Sequence, residues 1–254
     1  MVRTQQAKET PLATPGVLAR LGGALGRQDL RSYLVAVGGA LMLADLYLIF
    51  MVAPTDSVLG HVQRVFYFHV PIAIMSFLAF FVVFVASVIY LVRRGTRWDS
   101  LAHSAAEVGV LFVTLALLTG TLWARPVWNT WWAWEPRLTT TLILWLIYVS
   151  YLMVRAYAPN RSRAAVYSAI VGIIGFADVP IVYYSVQWWR GIHPAPVVGP
   201  LAGSGALDRT MLAILLFSLV TFAVLFLYLV WQRMSLRDAE DQVTGLRFSL
   251  RVRP

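Results

Sequence analysis

Six apolar runs divide this chain, at roughly residues 32–53, 69–92, 102–123, 138–156, 164–186 and 209–231. Each has about the 20 residues that a helix needs to cross the hydrocarbon core of a bilayer. A segment in that core finds no water for its backbone, so it must close its own hydrogen bonds as a helix. Composition agrees, with 59% of residues hydrophobic and 13% charged, against roughly 25% charged in soluble globular domains. The sequence predicts an all-α, polytopic integral membrane protein with six transmembrane helices. The expected organisation is an N-terminal segment at 1–31, a six-helix membrane domain at 32–231 and a tail at 232–254. Residues 1–27 carry Pro11, Pro15 and several glycines and read as polar loop. They lack the apolar stretch and small-residue cleavage site of a removable signal peptide. The tail mixes Arg237, Asp238, Glu240 and Asp241 and reads as a short solvated extension. No internal repeat is evident.

The net charge of +9 is distributed asymmetrically. With the N-terminus inside, sixteen of the 21 basic residues fall in the inner segments. Only Arg64, Arg125, Arg137, Arg190 and Arg209 fall outside. The positive-inside rule then puts both termini in the cytoplasm. The basic charge is an orientation signal and argues against nucleic-acid binding. The chain has no cysteine, which excludes disulfides, thiolate metal ligands and thiol exchange.

Three outer loops follow from this topology, at about 54–68, 124–137 and 187–208. The second lies in Trp123-Ala-Arg-Pro-Val-Trp128-Asn-Thr-Trp131-Trp132-Ala-Trp134-Glu135-Pro-Arg137-Leu-Thr-Thr140. Five of the ten tryptophans stand within twelve residues here. A few interfacial tryptophans make an ordinary aromatic belt. Five, bracketed by Arg125 and Arg137, suit a ligand that is flat, apolar and anionic at its edge, and haem has that description. The first loop ends in Arg64-Val-Phe-Tyr-Phe-His69-Val-Pro71, and the third holds Gln187-Trp188-Trp189-Arg190-Gly-Ile-His193-Pro194. Topology thus gathers His69, His193 and the tryptophans at one membrane face. Neutral imidazoles are the usual axial ligands of haem iron. Arginines offer propionates a bidentate fork.

Each feature also has a plain structural reading. A lone interfacial histidine is commonly a hydrogen-bonded side chain. Trp128, Trp131, Trp132 and Glu135 share one face at helical spacing, as an interfacial amphipathic helix would arrange them. His103 and Glu107 are four apart and can simply pair. Asp45, Glu107 and Asp178 fall within the spans, where acids are costly. They form no evident proton relay and read as helix-packing groups. Pro180 is expected to kink the fifth span.

The combination resembles the haem-handling protein family, whose signature is a tryptophan-rich "WWD" outer loop flanked by two outer histidines. Within it, the likeness is to the haem-delivery branch of cytochrome c maturation (system I). Arg64 to Pro71 resembles the first histidine motif. Trp128-Asn-Thr-Trp-Trp-Ala-Trp134-Glu-Pro-Arg137-Leu-Thr resembles the pattern W-G-x-x-W-x-W-D-x-R-L-T. Ser185-Val-Gln-Trp188-Trp189 followed by His193 resembles the second histidine segment. Asn129 replaces the motif glycine and Glu135 the motif aspartate. The resemblance spans roughly residues 32–231.

The resemblance implies haem b bound at the outer face of the bacterial cytoplasmic (inner) membrane, with His69 and His193 as axial ligands. Trp123, Trp128, Trp131, Trp132, Trp134, Glu135, Arg64 and Arg137 are the other expected binding residues. It implies a delivery and assembly factor with no catalytic residues. The expected recipient is a periplasmic haem chaperone (CcmE), which takes haem covalently on its own histidine. A small single-span protein (CcmD), an ATP-driven transporter (CcmA with CcmB) and membrane lipid are the other expected partners. The chain has no G-x-x-x-x-G-K-[ST] motif, in keeping with ATP hydrolysis elsewhere. Rival readings are a system II cytochrome c synthase subunit, a b-type electron-transfer protein and a small-molecule transporter. The first carries further histidines inside its spans, and the second needs paired histidines deep in facing helices. No histidine lies deep in a span here. The third would use the intramembrane acids, and an absorbance spectrum separates it from the haem readings.

Overall fold

A computed structural model describes residues 15–189, 191–203 and 207–252, without the side chains of residues 15–30, 246, 248, 249, 251 and 252. Among the described residues seven α-helices follow one another: α1 Pro15–Tyr47, α2 Phe66–Arg93, α3 Thr96–Trp128, α4 Pro136–Tyr157, α5 Arg161–Phe176, α6 Asp178–Trp188 and α7 Arg209–Val252. A π-helical turn extends α1 over Leu48–Val52, and a 3-10 turn at His61–Val65 leads into α2. Six helical segments are long and apolar enough to cross a membrane: Arg31–Val52, His61–Arg93, Thr96–Trp128, Pro136–Tyr157, Arg161–Trp188 and Arg209–Gly245. α5 and α6 together make the fifth.

Local chemistry sets the boundaries. Arg94 ends α2 in the left-handed region at φ 55°, and Gly95 follows. Asn160 caps α5, its side chain accepting from Arg163 N at 2.9 Å. The fifth span breaks at Ala177, between α5 and α6. Pro180 has no N–H, so the Phe176 carbonyl four residues earlier loses its helical partner. That is the kink expected from Pro180, placed one turn before it.

Lipid is as apolar as leucine, so membrane helices associate through close packing and small residues rather than hydrophobic drive. A Cβ on Gly109 of α3 would lie 2.7 Å from Phe80 of α2, and one on Gly175 of α5 2.5 Å from Ile147 of α4. Where these glycines let helices close, Phe80 stacks on Tyr148 with centroids 3.7 Å apart. Asp45, fully buried in the first span, accepts from Ser218 Oγ of α7 at 2.7 Å. His103 Nε2 and Glu107 Oε1 lie 3.5 Å apart, as their spacing suggested.

Two expectations are corrected and one alternative reading is excluded. Residues 15–27 are helix rather than loop, and residues 1–14 lie outside the described residues. The tail is solvated, with residues 238–245 exposed, but it is the continuation of α7, which runs unbroken to Val252, rather than a separate segment. Its polar turns are held by ion pairs: Arg233 with Glu107 of α3, and Asp241 with Arg161 of α5. Finally, the tryptophan segment is not an interfacial helix. α3 stops at Trp128, Asn129 turns left-handed at φ 54°, and residues 129–135 run non-helical into α4.

An aromatic cavity at one end of the bundle

The loops 53–65 and 129–135 meet residues 191–203 and 207–208 of the third loop at one end of the bundle, around a cavity of about 310 Å³. Its wall includes His69 from α2, Trp123 and Trp128 from α3, Trp132 from the tryptophan loop, Arg137 from α4 and His193 from the third loop. Six of the ten residues expected to bind are therefore brought together. Most of the remaining wall is aliphatic or aromatic, from Ala73, Phe77, Leu117 and their neighbours.

The two histidines are held alike. His69 lies against α3, with Nδ1 2.9 Å from Thr119 Oγ1. The Thr119 hydroxyl donates to the Leu115 carbonyl at 2.7 Å. A hydroxyl has one hydrogen, and when it goes to the Leu115 carbonyl Thr119 accepts from the His69 Nδ1–H. That tautomer leaves the Nε2 lone pair of His69 free. Gly120 makes the close seat: a Cβ there would lie 3.2 Å from His69 Cε1. Trp123 packs edge-on against the imidazole at 5.9 Å. In the third loop, His193 Nδ1 is 3.0 Å from the Pro194 carbonyl. A carbonyl only accepts, so here too Nδ1 carries the proton and Nε2 is free. Burial, followed by the nearby Arg137 charge, lowers the His193 pKa from 6.5 to about 3. The ring is therefore neutral throughout the ordinary pH range, the form in which imidazole binds iron.

Three donors on this wall lack acceptors. Arg137 Nη1, Trp123 Nε1 and Trp132 Nε1 are buried with no hydrogen-bond partner among the described residues. A buried donor without a partner costs about 1–3 kcal/mol, and more when charged. Such orphans ask for an acceptor from outside the chain. An apolar slot, two free imidazole nitrogens and an unmatched guanidinium fit a flat iron macrocycle with anionic edges.

Four of the expected residues stand off the wall. Arg64 lies on the 3-10 turn, where its neighbour Gln63 points to the cavity; its own guanidinium sits 5.8 Å from the Phe50 ring. Trp131 and Trp134 are largely exposed, at 58% and 76%. Trp134 meets Trp132 edge-on at 5.5 Å and so backs the wall from outside. Glu135 is buried as the N-cap of α4, accepting from Leu138 N at 2.9 Å, with Pro136 at the first helical position. Of the other outer arginines, Arg125 donates to Asn129 Oδ1 and lies over Trp131 at 5.9 Å. Arg190 falls outside the described residues.

Thr119, Gly120 and Tyr183 were missed from the sequence. Tyr183 Oη accepts from Leu201 N at 3.3 Å and lies 3.5 Å from the Val198 carbonyl, tying the third loop to α6. Gly199 supplies the left-handed turn, at φ 95°, that brings this loop onto the phenol.

The family model described as CcmC, heme exporter protein C, matches residues 11–247. Heme exporter protein C of Bradyrhizobium diazoefficiens is 38% identical over 177 residues, covering 70% of this chain and 67% of the relative. The Escherichia coli K12 protein of the same name is 34% identical over 182 residues, covering 72% and 73%. That of Haemophilus influenzae is 32% identical over 181 residues, covering 71% and 73%.

Proposed function

This chain belongs to the heme exporter protein C (CcmC) family, and on that premise we propose that it binds haem b in the aromatic cavity and delivers it for cytochrome c maturation. Haem is the cargo. His69 and His193 are its axial ligands, each through Nε2. Trp123, Trp128 and Trp132 bury the macrocycle, Trp131 and Trp134 cover the exposed side, and Arg137 takes a propionate. Arg64 is the second propionate candidate and reaches the cargo only by leaving Phe50. Glu135 acts indirectly, by fixing the start of α4 and so the position of Arg137.

The cavity faces the periplasm and both termini face the cytoplasm, a reading supported by the distribution of lysine and arginine. The recipient is the periplasmic chaperone CcmE, with CcmD and the transporter CcmA/CcmB as partners in release of the loaded chaperone. The chain supplies binding and orientation as a transport and assembly factor, and makes no bond itself.

One observation carries this reading: two imidazoles, each with Nδ1 at a hydrogen-bond partner, and a buried guanidinium with an unmatched N–H line one apolar cavity. Absorbance spectroscopy of the purified protein with haem tests it. His69→Ala and His193→Ala each lose the six-coordinate spectrum, while His61→Ala and His103→Ala keep it. Unchanged spectra in both of the first pair overturn the ligand assignment.

A further inference from the structure

The end of the bundle opposite the aromatic cavity holds a second cavity, of about 480 Å³. It lies where α4 ends and α5 begins, and its wall includes His103, Glu107, Arg155, Asn160, Arg161 and Arg237. Along α7, Arg233, Arg237 and Asp241 follow at four-residue spacing and share one helix face. The outer two are clamped. Arg233 donates through Nε and Nη2 to the Glu107 carboxylate, at 2.7 Å each. Asp241 accepts from Arg161 Nη1 and Nη2 at 2.5 Å each. Arg155 is likewise held, by Asp99 at 2.5 and 2.8 Å.

Arg237, in the middle of the stripe, is different. It makes no ion pair among the described residues, and its Nε is buried without a hydrogen-bond partner. Across the cavity His103 Nδ1 is buried and has no partner among the described residues either. Glu107, the carboxylate on this wall, is already matched by Arg233. The cavity thus has one cation in excess, unmet nitrogens on two sides and room between them. Buried polar groups in native proteins find partners, and the missing partner here is an acceptor with negative charge.

We propose that this cavity is an anion site for a phosphate group. Phosphate offers several strong acceptor oxygens and matches the arginine fork. The cavity sits where α4 ends and α5 begins, and basic pockets at the ends of spans hold anionic lipid headgroups. The phosphate is carried by the headgroup of an anionic phospholipid or by a soluble phosphate, and the bound group ties α7 to α3 and to the α4–α5 turn. The proposal stands independently of the haem reading.

Native mass spectrometry of the full chain in detergent tests it, with phosphatidylglycerol, phosphatidylcholine and inorganic phosphate as separate probes. Hydrogen bonds to charged groups are worth roughly 1.5–3 kcal/mol, so Arg237→Gln weakens binding about tenfold or more. Arg237→Lys, which keeps the charge and loses the fork, falls between. Arg93→Gln, a cation at the same end but off this wall, binds as the wild type does. Retention of phosphatidylglycerol over phosphatidylcholine identifies a lipid headgroup. Binding of inorganic phosphate without lipid retention identifies a soluble phosphate. The proposal is overturned if Arg237→Gln binds both probes as the wild type does, or if Arg93→Gln loses as much. Arg237 is partly exposed at a helix surface, and the melting temperature of each variant confirms that it folds.

Discussion

The two ends of the bundle use arginine in opposite ways. At the end away from the tryptophan loop, Arg155, Arg161 and Arg233 each meet a carboxylate, from Asp99, Asp241 and Glu107, and among the described residues only Arg237 of that cavity wall does not. At the aromatic end, Arg137 is buried against the cavity with Nη1 unmatched. Carboxylates are present there too, but they are committed to the backbone. Asp56 accepts from Val58 N and Leu59 N at 2.8 and 2.7 Å, and Asp208 from Thr210 N at 2.8 Å. Glu135 caps α4. Those backbone N–H groups hold Asp56 and Asp208 below the usual carboxylate range, so both stay charged and in place. One end therefore spends its acids on neutralising arginines, which fastens helices together. The other spends them on turns, which leaves Arg137 without a carboxylate. In a chain with so few charges, where the acids go decides which arginines are left over: Arg137 at one end and Arg237 at the other.

The sharpest way to break this contrast is to remove one acid from the paired end. The Arg155 and Asp99 side chains are only 5% and 9% exposed. Taking away one partner of a buried pair leaves an uncompensated charge and costs about 3–5 kcal/mol. Asp99→Ala is therefore expected to lower the melting temperature or the yield of inserted protein severely. The folded fraction should keep the haem spectrum. A stable Asp99→Ala that loses haem binding would put function at the paired end and defeat the distinction.

The mirror experiment is Arg137→Gln. No ion pair is lost, so the melting temperature should hold or rise. A charge-assisted contact to a propionate is worth roughly 1.5–3 kcal/mol, so haem affinity should fall about tenfold or more. Arg137→Lys should recover only part, because it keeps the charge without the planar fork. Titration with haem, read beside thermal unfolding, decides the matter. Destabilisation as large as that of Asp99→Ala, with haem affinity intact, would make Arg137 a structural residue like the others.

The sequence carried the fold because bilayer thickness and hydropathy constrain it so strongly, and the six spans lie where the apolar runs are. The aromatic site was legible where its residues stand beside helix ends: topology alone gathers His69, His193, Trp123, Trp128, Trp132 and Arg137. It was less legible where a residue has a competing local use. Arg64 is one residue past Gln63, and on a 3-10 turn that step carries it off the cavity wall. The carboxylate of Glu135 faces its own helix start, a capping role that Glu-Pro-Arg-Leu states as clearly as it states binding. Asn129 does what the motif glycine would do, entering the left-handed region at the end of α3. The continuation of α7 was hidden because its last turns are polar, and their partners Glu107 and Arg161 lie 126 and 80 residues away in the chain.

Thr119 was the hardest residue to foresee, since nothing near it in sequence marks it and its partner His69 lies 50 residues earlier. It also gives the finest test of the aromatic end. If the free Nε2 of His69 is the working atom, the hydrogen bond from Nδ1–H to Thr119 sets both the tautomer and the ring plane. Such a partner also raises the basicity of a ligating imidazole. Thr119→Val keeps the shape and removes the acceptor. A neutral hydrogen bond is worth about 0.5–1.5 kcal/mol, so haem affinity should fall roughly two- to tenfold. The reduction potential of the bound haem should shift with it, because the axial ligand has become a weaker donor. Thr119→Ser restores the acceptor and should restore both quantities. The His69→Ala variant keeps the two ideas separable. If that variant loses the spectrum while Thr119→Val changes neither affinity nor potential, His69 is a ligand whose orientation is fixed by Gly120 and Trp123 alone.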